Sequence, residues 1–373
     1  MPINSWKAYI HNKYRFYDRH AGQRRIDPEF TWEMMGGGRK ATVRSFLKRM
    51  PPIYALHRSL SKSEDKWSRF EREADQMFEV RCLLNDELSQ VLYDEAIILR
   101  MVGHEKFFYP RHNFEPLVNL VASERFLETG YPDNYLGVPL ERVVLSLNDG
   151  ANRGTVKVVA ASGFVDLLNN WRQYFVAHGR MQFTPKEGDV VFDCGACIGD
   201  ITTVLAGFVG ENGQVHAFDP IPLHNKFTSL QARLNPELSK AFFINQLAVG
   251  KTSAVRTGAQ SDVNQISPGG LQIDSFEMCS LDDYFRDRQL SSVNMIKMDI
   301  EGAETDALSG AENIIREFKP KLAISIYHRP EDFWSLPLQI KKLNPKYRFG
   351  FGHHSPVQWE SVIYAYEETG QLN

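Results

Sequence analysis

One stretch, residues 190–200, constrains the fold of this chain more than any other. It reads VVFDCGACIGD: an apolar run ends in an acid, and two glycines, Gly195 and Gly199, follow before Asp200. Residues 201–210 continue at helical spacing. The pattern predicts a buried strand, a tight glycine turn and the start of a helix. In an α/β sheet, a ligand sits beyond the carboxyl end of such a strand.

Strand and helix signals alternate after this stretch. Strands are predicted at 215–218, 241–249, 293–298 and 321–327, helices at 223–234 and 303–318, a polar loop at 250–271, and two closing strands at 347–352 and 361–366. Alternation of this kind predicts an α/β fold with a doubly wound parallel sheet. The closing pair predicts an antiparallel edge strand on that sheet.

The first 175 residues are predicted to form a mostly helical region. Apolar side chains recur at helical spacing between residues 61 and 102, and a break at Asn85 and Asp86 divides this run into two helices. We place a domain boundary near residue 176. Residues 1–175 then form the N-terminal region, and residues 176–373 form the α/β domain.

Charge and composition narrow the class of protein. The formal net charge is -3, which argues against a dedicated nucleic-acid-binding protein because neutralising phosphates requires clustered cations. No run of about 18 apolar residues occurs, so no membrane span is predicted. The N-terminal segment is polar and aromatic and lacks the apolar stretch of a signal peptide, so a cytoplasmic location is expected.

Cys194 and Cys197 form a CxxC pair inside the glycine turn. The chain has 4 cysteines among 373 residues, too few for a disulfide framework. A zinc site needs further ligands, and no second CxxC or close histidine pair supplies them. We interpret the pair as small residues that the turn tolerates, with a zinc or redox role as the less favoured alternative.

Two ligands suit a glycine turn of this kind: a dinucleotide, whose pyrophosphate binds at the helix N-terminus, and S-adenosylmethionine. Both place a ribose against an acid at the end of the second strand, here Asp219. Gly195 and Gly199 do not have the GxGxxG spacing, and carboxylates at Asp193 and Asp200 oppose a pyrophosphate but suit a cation. The sequence therefore favours S-adenosylmethionine. The plain structural alternative is a turn that binds nothing.

Polar residues follow the fourth predicted strand. Alternation puts Lys297, Asp299 and Glu301 on one side, at the carboxyl edge beside the glycine turn. His328 ends the next strand and should lie close. These groups predict either a general base for a hydroxyl or a divalent metal, held by Asp299, Glu301 and His328, that lowers the pKa of that hydroxyl. For Glu304 we favour a structural role at the start of the following helix.

A histidine pair, His353 and His354, lies in the loop predicted between the two closing strands. One of the two is a candidate substrate contact. The alternative is that both are ordinary surface residues of the loop.

The order of these motifs resembles that of the FkbM-type methyltransferases. The resemblance rests on VVFDCGACIGD, FDP at 218–220, NQLAV at 245–249, SLDD at 280–283, IKMDIEGAE at 296–304, KPKLAISIYH at 319–328, and the closing HH…ESVIYA run. It covers about residues 176–367 in order, and it is specific as a set rather than through any one motif.

The resemblance implies a class I, Rossmann-like fold that uses S-adenosylmethionine to methylate a hydroxyl, typically of a sugar in a glycan or of a natural product. It implies that the cofactor contacts Asp193, Gly195, Ala196 and Gly199, with Asp219 on the ribose and with Gln246 and Ala248 near the adenine. Asp299 or His328 is the expected base, with Glu301 and Lys297 orienting. Cys197 stands where the family often has Asn, so a side-chain contact there should be weak or absent.

Two other functions stay open. A NAD-dependent oxidoreductase or a sugar-nucleotide epimerase would need a pyrophosphate-binding turn, which Asp200 disfavours. A non-catalytic adaptor with a methyltransferase-like fold should have a blocked cofactor pocket, yet the glycines and acids are in place. We expect residues 1–175 to select the small-molecule or glycan acceptor, to cap the site, or to mediate formation of a homo-oligomer.

Overall fold

The computed structural model describes residues 1–19, 66–104, 106–107, 117–135, 138–161, 168, 172–178, 181–257 and 275–367. Within these ranges, no helix is long and apolar enough to cross a bilayer. Most of the loop predicted at 250–271 lies outside the described residues.

The α/β part is built on a sheet of seven strands. These strands are β7 (Val190–Cys194), β8 (Gln214–Phe218), β9 (Phe242–Asn245), β13 (Met295–Met298), β14 (Lys321–Ser325), β15 (Arg348–His353) and β16 (Ser361–Tyr366). Their order across the sheet is β15-β16-β14-β13-β7-β8-β9. Five neighbouring strands run parallel to one another: β14, β13, β7, β8 and β9. The strand β16 runs antiparallel to both of its neighbours, β14 and β15. The predicted doubly wound sheet is confirmed, with its antiparallel strand one position in from the edge.

Helices cover both faces of this sheet. They are α4 (Asp200–Val209), α5 (Pro222–Leu234), α6 (Leu281–Asp287), α7 (Glu304–Ser309), α8 (Glu312–Phe318) and α9 (Asp332–Leu343), with a 3₁₀ turn at Pro236–Ala241. The single helix predicted at 303–318 is wrong in one respect, since it divides at Gly310. A Cβ on Gly310 would lie 2.2 Å from the carbonyl oxygen of Gly250, so close approach of two backbones fixes the break.

The third predicted strand also divides. It forms β9 and the short β10 (Ala248–Val249), which joins β11 (Ala254–Thr257) and β12 (Ser275–Cys279) in a separate three-stranded sheet. The strand β12 was not predicted, because its exposed and buried positions alternate over only five residues.

The N-terminal region contains helices and a sheet. The helices are α1 (Ile3–Arg19), α2 (Lys66–Leu83) and α3 (Glu87–Val102), and the strands are β1 (Val118–Arg125), β2 (Asn134–Tyr135), β3 (Val138–Asn148) and β4 (Asn152–Ala161), followed by the short pair β5 (Ala177–His178) and β6 (Met181–Gln182). The predicted break at Asp86 is confirmed: its side chain accepts a hydrogen bond from the N–H of Ser89 and caps α3. The extent of the antiparallel sheet was not foreseen.

The N-terminal helices and the α/β sheet share a core. The N–H of Asn85 donates to the carbonyl of Phe349 at 2.9 Å, which ties the α2–α3 junction to β15. One cluster of buried apolar side chains includes Trp6 and Ile97 together with Phe192 and Ile324. The domain division at residue 176 therefore stays a prediction, and no boundary is visible in this core.

Two side-chain amides fasten the N-terminal sheet to α5. Gln231 accepts a hydrogen bond from the N–H of Val159 and donates to its carbonyl, and Asn235 does the same with Lys157. These bonds imitate a strand ladder along β4. The Gln231 amide also donates to the carbonyl of Ile198 at 3.1 Å, so the N-terminal sheet is fixed beside the glycine turn.

Candidate active site

The glycine turn joins β7 to α4 and needs both of its glycines for packing. Gly195 and Gly199 each have φ of 79°, a conformation that favours glycine. A Cβ on Gly195 would lie 1.8 Å from the Asp299 carbonyl oxygen, and one on Gly199 would lie 2.8 Å from the Thr228 Cα. The glycines therefore let the turn press against the end of β13 on one side and against α5 on the other.

The backbone N–H groups of the turn are already bonded within the protein. Those of Gly195 and Ala196 donate to the carbonyl of Phe218, at 2.9 and 3.0 Å, and that of Gly199 donates to Ala196 at 2.8 Å. The N–H of Cys197 donates to the Asp219 carboxylate at 3.0 Å. A pyrophosphate-binding turn offers such donors to its ligand, and these four are committed elsewhere.

Asp193 and Lys297 form a buried pair under the turn. Asp193 Oδ1 lies 3.0 Å from Lys297 Nζ, and its other oxygen accepts from the Thr202 hydroxyl at 2.6 Å. Lys297 also donates to the Gly195 carbonyl at 2.7 Å. Burial opposes the charge on Lys297, but the neighbouring carboxylates of Asp193 and Asp299 outweigh it and raise its pKa. Asp193 and Lys297 thus support the glycine turn from its buried side.

Asp219 follows β8 and is held on all sides. Its carboxylate accepts from the N–H groups of Cys197 and Ile221, and Oδ1 lies 2.9 Å from Nδ1 of His224. The other ring nitrogen of His224 lies 2.7 Å from the hydroxyl of Tyr135, on β2. The N-terminal sheet therefore reaches the predicted ribose position through Tyr135, which sequence reasoning did not single out.

The remaining predicted cofactor residues lie at the same edge of the sheet. The N–H of Asp219 donates to Asn245 at the end of β9, so Gln246 and Ala248 come directly beside it; Gln246 is exposed and Ala248 is buried. Asp200 opens α4, and its carboxylate accepts from the N–H of Ile201 at 2.9 Å. Burial raises the pKa of Asp200 to about 7.

Asp299, at the end of β13, is the centre of a second group of polar side chains. Its Oδ2 accepts from the Tyr174 hydroxyl at 2.5 Å, and its Oδ1 accepts from the Tyr327 hydroxyl at 3.2 Å and lies 3.2 Å from Nε2 of His328. Burial disfavours its charge, but bonding to His328 and the charge of Lys297 outweigh this and lower the pKa of Asp299. Asp299 is therefore an ionised carboxylate.

His328, after β14, lies among three carboxylates. Besides Asp299, its Nε2 is 3.6 Å from Glu301 Oε2 and its Nδ1 is 2.9 Å from Glu304 Oε1. These acids outweigh burial and raise the pKa of His328, whereas burial raises the pKa of Glu301 to about 7. We call Asp299, Glu301, Glu304 and His328 the acid edge.

The acid edge has an inner and an outer side. Glu304 is 1% exposed and accepts from the N–H of Ile300, which fits the structural role favoured from the sequence; its contact with His328 was not foreseen. The side chains of Asp299 and Glu301 are 20% and 29% exposed. These two side chains are therefore partly open to a ligand, whereas His328 and Glu304 are buried.

The geometry brings together one group that could hold a metal ion. Within the described part of the chain, Asp299, Glu304 and His328 each offer one ligand atom, all within 4.8 Å of one another. Glu304 takes the place that was predicted for Glu301. Carboxylate oxygen and imidazole nitrogen are suitable ligands for several divalent ions, so a metal at this edge stays a prediction.

Neither the histidine pair at 353 and 354 nor the cysteine pair at 194 and 197 forms a surface site. His353 ends β15, and His354 lies in the loop as predicted; the two are 4% and 0% exposed, so the alternative that both are surface residues is wrong. His354 lies 2.9 Å from the Tyr364 hydroxyl in the interior. Cys194 and Cys197 are free thiols, and burial raises the pKa of both, which disfavours the thiolate form.

Several polar residues around Asp299 were missed by sequence reasoning. Tyr174 comes from the segment before β7, and Glu360 comes from the turn before β16, where Gln173 donates a hydrogen bond to it. Nothing in the local pattern marks these residues, because their partners are far away in the sequence. Tyr327 had a detectable signal, since it directly precedes His328 at a strand end.

A sequence model of the methyltransferase FkbM domain matches residues 193–351. This range begins in β7 and ends in β15, and it includes the glycine turn and the acid edge. The confirmed resemblance covers less than half of the chain. No curated protein sequence matches the chain significantly.

One of the solved structures that match the chain shows the same fold. The chain is similar to methyltransferase FkbM from Methylobacillus flagellatus KT, at 20% identity and a TM-score of 0.54, over 82% of this chain and 63% of that one. This likeness shows the fold, and the chain spans less than two thirds of the length of that structure. Fibrillarin from Aeropyrum pernix, crystallised with S-adenosyl-L-methionine, is more distant: 12% identity and a TM-score of 0.34 over 66% of this chain and 99% of that one, too low to carry an argument.

Proposed function

We propose that this chain, which contains a methyltransferase FkbM domain, is an S-adenosylmethionine-dependent O-methyltransferase that acts on a hydroxyl of a sugar, in a glycan or in a natural product. The observation that carries the proposal is the contact between the two halves of the site. The glycine turn packs directly on the backbone of Asp299, since a Cβ on Gly195 would lie 1.8 Å from its carbonyl oxygen. A ligand on the turn therefore faces the acid edge.

Charge supports a cationic methyl donor at this position. Asp200, Asp219, Asp299 and Glu301 surround the turn, and the N–H groups of Gly195, Ala196, Cys197 and Gly199 are bonded within the protein. A pyrophosphate would meet carboxylates and few free donors, whereas an ammonium and a sulfonium would meet favourable charge. This arrangement speaks against the NAD-dependent alternatives.

S-adenosylmethionine supplies an already activated methyl group, so the protein needs to align the acceptor and to take up one proton. We assign the proton to Asp299, whose carboxylate is exposed to the site and is held from behind by His328. A hydroxyl oxygen becomes strongly acidic as it bonds to the methyl carbon. A carboxylate with a low pKa is therefore a sufficient acceptor, and it is ionised before the transfer.

The other polar residues act on Asp299 or on the turn. His328 carries a positive charge in this arrangement and orients Asp299, and Glu304 fixes His328 in turn. Glu301 faces the site beside Asp299 and is positioned to bind a second hydroxyl of the acceptor. Lys297 keeps the turn in place through Asp193 and the Gly195 carbonyl.

A divalent metal at Asp299, Glu304 and His328 belongs to the same proposal as an open alternative. Bound there, it would lower the pKa of the acceptor hydroxyl. Assays with and without a chelator decide this point, because the carboxylate mechanism predicts equal rates in both.

The experiment that tests the proposal is transfer of a labelled methyl group. The protein is incubated with S-adenosylmethionine labelled in the methyl group and with glycan fractions of its host, and the label is followed into the carbohydrate. A methyl ether survives mild alkali, whereas a methyl ester is cleaved. Alkali-stable label supports O-methylation of a hydroxyl; alkali-labile label, or label in amines, contradicts it.

The absence of transfer does not by itself favour the adaptor alternative, because an enzyme given the wrong acceptor also transfers nothing. Failure to bind S-adenosylhomocysteine therefore serves as the second criterion. In the adaptor case neither binding nor transfer occurs, whereas an enzyme that has met the wrong acceptor still binds S-adenosylhomocysteine.

A further inference from the structure

We infer that Tyr174 is a positioning residue of the methyl-transfer site, where its hydroxyl holds the Asp299 carboxylate in place. The inference rests on the proposed function, because it requires Asp299 to face the methyl donor. Tyr174 lies before β7, outside the matched domain at 193–351. The segment ahead of the domain thus contributes to the active site.

The contacts of Tyr174 fix its hydroxyl on one oxygen of Asp299. The hydroxyl donates to Asp299 Oδ2 at 2.5 Å, at the short end of the range for such a bond, and lies 3.3 Å from the Ser325 hydroxyl. Nζ of Lys297 lies 5.3 Å from the centre of the ring, within the range of a cation–π contact. Tyr174 therefore links the acid edge to the lysine that supports the glycine turn.

The backbone around Tyr174 is held in an unusual conformation. Tyr174, Arg172, Glu301 and Glu360 have φ of 62°, 58°, 57° and 65°, a region that non-glycine residues rarely adopt. The segment is anchored by Arg172, which donates to the Val118 carbonyl at 2.9 Å, and by Gln173, which donates to Glu360. Strained residues of this kind cluster at active sites when the surrounding structure enforces them.

Burial separates this role from direct contact with the substrate. Tyr174 is 2% exposed, so it cannot touch an acceptor in the site. The Asp299 side chain is 20% exposed. Tyr174 therefore holds the buried side of this side chain, and the exposed side is open to a ligand. The second tyrosine, Tyr327, bonds to Asp299 at 3.2 and 3.4 Å, and we expect it to contribute less.

The test measures charge at the methyl position and needs no acceptor. Sinefungin has an amine in place of the transferred methyl group, whereas S-adenosylhomocysteine has neither. The ratio of their affinities, measured by calorimetry, therefore reports how well a carboxylate faces that position. Tyr174→Phe keeps the ring and should reduce the preference for sinefungin by about threefold to tenfold, less than the full value of one hydrogen bond to a charged group, because the hydroxyl acts on the ligand only through Asp299.

A double-mutant cycle separates positioning from a general effect. Asp299→Asn should reduce the preference more than Tyr174→Phe does, and the double variant should lose no more than Asp299→Asn alone. The matched control is Tyr347→Phe, because Tyr347 is also buried and its hydroxyl donates to the Pro320 carbonyl, which precedes β14, instead. The control should keep the wild-type preference.

Full additivity in the cycle, or an unchanged preference in Tyr174→Phe, overturns the inference. Should Tyr174→Phe fail to fold, Ser325→Ala is the second arm: the Tyr174 hydroxyl can still donate to Asp299, so the preference should hold, and a fall contradicts the inference. If the wild-type protein binds neither ligand, the proposed function fails. If it binds both and only the cycle fails, the role of Tyr174 alone is wrong.

Discussion

The glycine turn and the acid edge lie side by side on one sheet, but they use their polar groups in opposite ways. At the turn, the N–H groups of Gly195, Ala196 and Cys197 and the carboxylate of Asp219 are bonded within the protein. At the acid edge, the side chains of Asp299 and Glu301 are 20% and 29% exposed, whereas the side chain of Asp219 is 9% exposed. The acid edge therefore presents its carboxylates to a ligand more openly than the turn does.

Because of this difference, we expect the glycine turn and the acid edge to respond differently to substitution. The turn is a support whose shape matters, so its variants should lose stability or cofactor affinity. The acid edge is where charge is presented to a ligand, so its variants should lose turnover while the protein stays folded.

The largest effect is expected at the acid edge. Asp299→Asn removes the proton acceptor and should reduce methyl transfer by about 10² to 10⁴-fold. Affinity for S-adenosylhomocysteine should stay within about twofold, since a neutral sulfide makes little use of this charge. Transfer of labelled methyl and calorimetry measure the two quantities. Asp287→Asn, at an exposed ion pair with Arg286, is the control, and equal turnover in both variants refutes the assignment.

The next effect concerns the shape of the turn. Gly195→Ala combines a positive φ with a clash against the Asp299 carbonyl, whereas Gly188→Ala has a similar φ of 82° and open space around the new Cβ. Gly188→Ala should lower the free energy of unfolding by about 1–2 kcal/mol, and Gly195→Ala by about 3 kcal/mol or more. Urea denaturation measures both. Equal losses would show that the close contact between the turn and β13 does not exist.

Asp200 allows a test by pH. Burial raises its pKa to about 7, with Asp193 adding to the shift and Lys297 opposing it. A cationic ligand favours the ionised carboxylate, so affinity for S-adenosylmethionine should fall by up to about tenfold per pH unit below that value and level off above it. Calorimetry over a pH series checks this, and Asp200→Asn should flatten the curve. A wild-type curve that is already flat would exclude Asp200 from the cofactor site.

The smallest effect is expected for the contact from the N-terminal sheet. Tyr135→Phe removes the hydroxyl that lies 2.7 Å from His224 and should weaken binding of S-adenosylhomocysteine by about threefold to tenfold. Tyr131→Phe is the matched control, because the Tyr131 hydroxyl accepts from Arg233 at the surface. If both variants bind equally well, Tyr135 supports the fold and not the cofactor site.

The same contrast explains what the sequence could predict. The glycine turn was recognisable because its strand, glycines and helix are contiguous, and a local pattern is enough to specify them. Asp299, Glu301 and His328 could be placed at one edge because parallel strands end together. Their partners could not be predicted: Tyr174, Glu360 and Tyr135 reach the site from segments far away in the chain.

Other differences between the prediction and the structure depend on single contacts. The division of the helix at Gly310 depends on contact with Gly250, and the interior position of His353 and His354 depends on the pairing of β15 with β16. Neither contact leaves a signal in the surrounding residues. The assignment of Glu304 to the start of a helix was right in kind, but its contact with His328 gives it a second role.

The ligand that the glycine turn binds distinguishes methyl transfer from the NAD-dependent alternatives. Calorimetric titration of the wild-type protein with S-adenosylhomocysteine and, separately, with NAD decides this without knowledge of the acceptor. We predict a single site for S-adenosylhomocysteine and no measurable binding of NAD. Binding of NAD in preference to S-adenosylhomocysteine, or binding of neither, would contradict the account.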